Sequence, residues 1–208
     1  MLTLSSQKIY GPKGVGLLYI RNLKHEARNP KQILNSKSKT VSDFDIRISD
    51  FSAVQPLITG GGQEFGLRSG TENVSGIVGF AKAAELAAAA RESENRRLKG
   101  LREYFWNRIR KIAPETKLNG DFKNSLLNIL NLYFSGHHGQ DLLMKLDLAG
   151  FAVSPGAACA ARVCRPSHVL KALGCSEEQA SGSLRFSFGR PTNKAEVDKL
   201  LEALEKSL

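Results

Sequence analysis

Tryptophan occurs once and methionine twice in these 208 residues, and aromatic residues make up only 7%. The basic stretches show no repeated aromatic interleaving of the kind a nucleic-acid surface uses. Cysteine occurs three times, an odd number that argues against a disulfide framework and for a reducing, cytoplasmic setting. No uninterrupted apolar run approaches the roughly 20 residues needed to cross a bilayer, which excludes a spanning helix. The first residues, Met1-Leu2-Thr3-Leu4-Ser5-Ser6, show neither the basic segment nor the apolar stretch of a secretory signal. No internal repeat is visible. The glycines at 60–62 fit neither the dinucleotide-binding fingerprint nor the phosphate-binding Walker pattern, and read as a tight connection. Cys159, Cys164 and His168 do not make a metal site: the cysteine spacing forms no tight knuckle, and no fourth ligand follows.

What is present is charge. The formal net charge is +10, and apolar residues make up an ordinary 41%. The basic residues gather at 24–47 and 91–111. Neither cluster matches a nucleic-acid motif, so both read as solvated surface, and direct nucleic-acid binding is not expected.

Hydrophobic periodicity predicts an α/β chain. Residues 1–4 read as the end of a strand and 15–20 as the next, an apolar run bounded by turns. Residues 21–55 lose the pattern and read as a surface insertion, with a short strand at 45–48. Residues 74–112 predict mostly helix, Ala-rich at 81–90. Leu98, Leu101, Phe105, Ile109 and Ile112 then recur at three and four, and Gly100 marks a break or domain joint. A strand over 126–134, a turn at 135–139 and a helix over 140–149 follow. Pro166 opens a short helix ending before Gly174. Ser176 with Gln179, and Asn193 with Glu196, form capping boxes. Val197, Leu200, Leu201 and Leu204 make one apolar stripe. The expected division is 1–90 and 91–208.

Three stretches carry candidate chemistry. In Ser5-Ser6-Gln7-Lys8-Ile9-Tyr10-Gly11-Pro12-Lys13-Gly14, Lys8 stands at a strand end pinned by a Gly-Pro-Lys-Gly turn. A lysine that forms a Schiff base needs a rigid seat and a partly desolvated amine. In Ser154-Pro155-Gly156-Ala157-Ala158-Cys159-Ala160-Ala161, small side chains surround Cys159. Burial as a structural residue is the ordinary fate of a free cysteine, and Cys164 and Cys175 are read that way. A thiol on a loop that can move is what sulfur transfer requires. In Leu184-Arg185-Phe186-Ser187-Phe188, alternation sends the apolar residues to one face and Arg185 to the other, where its fork suits a carboxylate.

Together with Arg68-Ser69-Gly70-Thr71, these blocks resemble the cysteine desulfurases, the NifS/IscS-like branch of the fold-type I pyridoxal-phosphate enzymes. The blocks run from Lys8 to Arg190 and match the C-terminal portion of such an enzyme. The resemblance implies the end of a large cofactor-binding domain (1–90, with an insertion at about 21–55), followed by a small α+β domain (91–208) carrying the cysteine loop. It implies pyridoxal 5′-phosphate on Lys8, with Ser5, Gln7 and Thr71 contacting its phosphate, and Thr71 doing so in the neighbouring subunit of a homodimer. Gln7 stands where the family usually has histidine. Arg185 would hold the α-carboxylate of L-cysteine, and Cys159 would accept the sulfur as a persulfide. A sulfur-acceptor protein of iron–sulfur cluster assembly or tRNA thiolation would follow. The family's ring-stacking residue and the Asp that pairs with the pyridine nitrogen precede the lysine, and neither is found here. The chain is therefore expected to be inactive until another chain supplies that half. The alternatives are another enzyme of the same fold, such as a selenocysteine lyase, or a non-catalytic dimerisation or sulfur-acceptor protein.

Overall fold

The computed structural model describes residues 1–20, 54–156 and 167–208. The expected insertion at 21–55, apart from its last two residues, and the short strand at 45–48 lie outside them, as do Cys159, Cys164 and Pro166. The chain divides into two compact units, Met1–Ala89 and Ala90–Leu208.

In the first unit, β1 (Leu2–Ser5) pairs with β2 (Gly16–Tyr19) in register Leu2↔Tyr19 and Leu4↔Leu17. The pairing is antiparallel. Residues 6–15 make too short a connection for a parallel crossover, which takes about a dozen residues or more. A 3-10 turn, Ser6–Ile9, follows β1 directly. The helix α1 (Val74–Ile112) begins in this unit, with the Asn73 carboxamide accepting from the Gly76 amide at 3.1 Å. It runs unbroken through Gly100. A break needs proline, an inserted side chain or crowding, and nothing lies within 4 Å of where a Gly100 Cβ would stand.

The second unit holds the core. Strands β3 (Lys117–Leu118), β4 (Ile129–Tyr133) and β5 (Ser183–Ser187) form an antiparallel sheet in that order. Helices α2 (Gly139–Leu148) and α5 (Lys194–Ser207) pack on each other. With the later turns of α1 they cover the sheet: Phe105, Ile109, Leu132, Leu146, Leu184, Phe186, Leu201 and Leu204 are buried in one cluster. The Phe105 ring lies 4.9 Å from Phe186 and meets Phe188 edge-on at 5.6 Å, arrangements that suit aromatic quadrupoles.

Two short helices, α3 (His168–Ala172) and α4 (Glu177–Ser181), lead into β5. The Asn193 capping box of α5 is complete: Asn193 accepts from the Glu196 amide and Glu196 from the Asn193 amide, both at 3.0 Å. That of α4 is one-sided. Ser176 accepts from the Gln179 amide at 3.1 Å, but the Gln179 side chain donates to Asn119 Oδ1 instead. A tertiary partner has outcompeted the local one.

Candidate functional site

The first cluster of candidate residues sits on one turn. Ser5 ends β1, and its hydroxyl makes no cap to the 3-10 turn that follows. Gln7 and Lys8 lie within that turn, and all three side chains are exposed. The Ser6 carbonyl accepts from the amides of Tyr10 and Gly11, the latter at 3.0 Å, while the Ser6 amide donates to the Val15 carbonyl at 3.1 Å. Residues 7–9 are thus a loop closed at its base. Tyr10 completes it in the left-handed region, at φ 64°, a conformation that a non-glycine residue adopts only where its surroundings impose it. Lys8 therefore stands on a turn closed by backbone hydrogen bonds. Its amine is not desolvated by the described residues, because it projects from an exposed turn.

Thr71 is exposed, just ahead of α1. The segment before it is laced to itself: the Gly62 amide donates to Ser69 Oγ, the Gly70 amide to Gln63 Oε1 at 3.0 Å, and the buried Ser69 to the Ile58 carbonyl through its amide. Glu64 and Phe65 both adopt positive φ, 51° and 59°. Two consecutive left-handed non-glycine residues mark stored strain. The glycine run alone does not reveal it.

In the second unit, Arg185 lies at the middle of β5. Leu184, Phe186 and Phe188 are buried as alternation requires, and Arg185 is half-buried, with its Nε buried and without a hydrogen-bond partner among the described residues. On one side Arg185 pairs with Asn131 of β4. On the other, its amide donates to the Ser154 carbonyl at 2.6 Å and its carbonyl accepts from the Ser154 amide at 3.3 Å. The Ser154 hydroxyl then donates to the Gly156 carbonyl at 2.7 Å. Ser154 is therefore held to β5 by its backbone while its side chain closes a turn onto Gly156. Sequence reasoning noticed the segment and overlooked that role; the Ser-Pro-Gly spacing of a side-chain-closed turn was the available signal. Cys175, read as structural, donates weakly to Asn119 Oδ1 at 3.7 Å. Among the described residues no group of His, Cys, Asp and Glu is arranged to hold a metal.

These elements are those of a fold-type I α/β chain. Aminotransferase class-V sequences match residues 1–200, and the chain belongs to that family. It is 42% identical over 204 residues to the cysteine desulfurase IscS 1 of Archaeoglobus fulgidus, covering 98% of this chain and 46% of that protein. To the cysteine desulfurase IscS of Dictyoglomus turgidum it is 39% identical over 206 residues, covering 99% and 45%. Among solved structures, a NifS-like protein matches with a TM-score of 0.73 at 30% identity, covering 98% of this chain and 45% of that one. The chain thus spans less than half the length of these relatives. The family uses pyridoxal phosphate, and the donor set of the lysine turn fits it: a primary amine for an aldehyde, with a hydroxyl and an amide beside it for a phosphate.

Proposed function

We propose that this chain supplies the lysine and the sulfur-accepting thiol of a pyridoxal-phosphate-dependent cysteine desulfurase that converts L-cysteine to L-alanine. Lys8 is the residue that carries the cofactor and moves protons at the substrate's α- and β-carbons. Ser5 and Gln7, with Thr71 from the neighbouring subunit of a homodimer, hold the cofactor phosphate through neutral donors. Arg185 grips the substrate carboxylate, and Cys159 takes the γ-sulfur as a persulfide for a sulfur-acceptor protein. When bound, pyridoxal phosphate supplies the electron sink for carbanionic intermediates. The chain's own work is orientation, proton transfer and sulfur capture.

The observation that carries this reading is the two-way bridge between Arg185 and Ser154. It ties the residue assigned to the carboxylate to Ser154, five positions ahead of Cys159 in the sequence, which supports reading the two as parts of one site. Arg185 Nε, buried without a partner among the described residues, gains one when a carboxylate arrives. Burying an unpaired donor costs about 1–3 kcal/mol, and part of that returns on binding.

Because the chain spans less than half its relatives' length, turnover is expected once the remaining portion of the fold is present. The test combines this chain with the complementary portion of a relative, pyridoxal phosphate and L-cysteine. Alanine should form, and the peptide containing Cys159 should gain one sulfur atom, removable by a thiol reductant. Cys159→Ser should abolish the sulfur adduct. A persulfide found only on Cys164 or Cys175 would refute the assignment.

A further inference from the structure

The lysine turn is held from outside as well as at its base. Where a Cβ on Gly79 would stand, Pro12 Cγ is only 2.5 Å away and Pro12 Cδ 3.1 Å. A Cβ on Gly11 would stand 2.9 Å from Ala83 Cβ and 2.1 Å from Ser6 Oγ. Gly79 and Ala83 are four residues apart on α1 and so share a helix face. That face meets the turn with no room for one further methyl group. Pro12 is a rigid ring and cannot swing aside. Ser6, beneath Gly11, is fully buried, and its carbonyl gathers the two amides that close the loop around Lys8.

We propose that Gly79 and Ala83 are positioning residues for Lys8. They act through Pro12, Gly11 and Ser6 to fix the base of the turn from which the amine projects. The inference rests on the reading of Lys8 as the cofactor-bearing amine and names the part of α1 that aims it. Neither residue touches the cofactor. Their role is to leave a slot of one shape, because a loop that carries a reacting amine loses rate when it is displaced by an ångström.

The test uses the whole chain and three variants: Gly79→Ala, Pro12→Ala and the double variant. One readout is hydrogen exchange at the Tyr10 and Gly11 amides, which close the loop. The other is site-resolved labelling by pyridoxal phosphate fixed with borohydride, taken as the ratio of label at Lys8 to label at Lys13. Gly79→Ala should speed exchange about tenfold by loosening the closure and should lower the Lys8 ratio. The double variant, which removes the ring that the new methyl group strikes, should recover most of both. Exchange at Leu184, in the other unit, serves as the control and should not move.

If Gly79→Ala leaves either readout unchanged, or the double variant fails to recover them, the proposal is overturned. Should Gly79→Ala fold poorly, Ala83→Gly instead opens the neighbouring contact of the same helix face, the one with Gly11. Faster exchange and a lower ratio then support the proposal, and no change in either rejects it. A wild-type chain that labels Lys8 no better than Lys13 would sink the cofactor reading of Lys8, while the exchange measurements still decide whether the helix face holds the turn.

Discussion

The two units carry the same kind of sequence pattern and do opposite things with it. In the first, Leu2, Leu4, Leu17 and Tyr19 fall on one face of the β1–β2 pair, and each is about half exposed. In the second, Leu184 and Phe186 fall on one face of β5, Phe188 continues the alternation just past its end, and all three are almost completely buried in the core. Alternation specifies which side of a strand is apolar; it does not supply the layer that covers it. A two-stranded pair is marginal in water by itself. Unit one is therefore patterned for a covering layer that the described residues do not provide, whereas unit two encloses its own. The short share of the relatives' length that this chain spans agrees with that difference.

The sharpest way to break the comparison is to damage the two apolar faces equally. Phe105→Ala, which removes a ring in contact with Phe186 and Phe188, should cost about 3–5 kcal/mol, as large cavities in a core do. Leu4→Ser, on the open face, should shift stability by no more than about 0.5 kcal/mol and should reduce self-association. Urea midpoints followed by circular dichroism measure both. Equal losses would mean that the first unit is covered in solution.

Arg102 sharpens the picture inside the second unit. It is buried, donates to Ser125 Oγ, the Leu126 carbonyl and the Phe122 carbonyl, and lies 4.2 Å over the Phe122 ring. Arg102→Ala leaves those acceptors unpaired and should cost about 2–3 kcal/mol by urea titration. Lysine at that position should recover little, since a single ammonium cannot span the three acceptors. A smaller step comes at the caps. Asn193→Ala, which removes half of a complete capping box, should cost about 1 kcal/mol. Ser176→Ala should cost less, because its box is one-sided.

Much of this was legible beforehand, for reasons that differ from residue to residue. The bounds of α1 follow from the run of helix formers after Asn73, and the burial of the α5 stripe follows from its 3.6-residue period. The alternation of β5 gave Arg185 its side. What stayed hidden was tertiary. Gln179 left its cap because its carboxamide is turned away to donate to Asn119, distant in sequence. Gly100 looked like a break because glycine is a poor helix former, but packing of Leu98, Phe105 and Ile109 carries the helix past it. The Ser154 bridge to Arg185 joins two segments that no local pattern connects, and the strain at Glu64 and Phe65 has no signature in residue type. For the catalytic assignments themselves, the motif resemblance went further than any periodicity, since a reactive lysine and a solvated one are the same letter.

The smallest effect expected is electrostatic. Glu94 receives two donors from Arg97, Nε at 2.8 Å and Nη2 at 2.6 Å, and Arg97 also donates to the Gly189 and Thr192 carbonyls. The Arg97 hydrogen bonds, with the charges of Arg97 and Arg190, hold the Glu94 carboxyl below its usual value of 4.5 against a weaker opposing push from burial. A carboxyl whose folded value lies below its unfolded one adds stability above the unfolded value and loses it as pH falls through the folded one. Glu94→Gln should therefore lower stability by a constant amount between pH 7 and about 5, and the difference from wild type should shrink below about pH 4.5. Both side chains are partly exposed, at 35% for Arg97 and 27% for Glu94, so solvent screening keeps the plateau under about 1 kcal/mol. Thermal melts of the pair across that range measure it. A gap that widened as the acid was added would show that Glu94 is not held ionised by Arg97, and that the turn at Gly189 and Thr192 is anchored to α1 by the guanidinium alone.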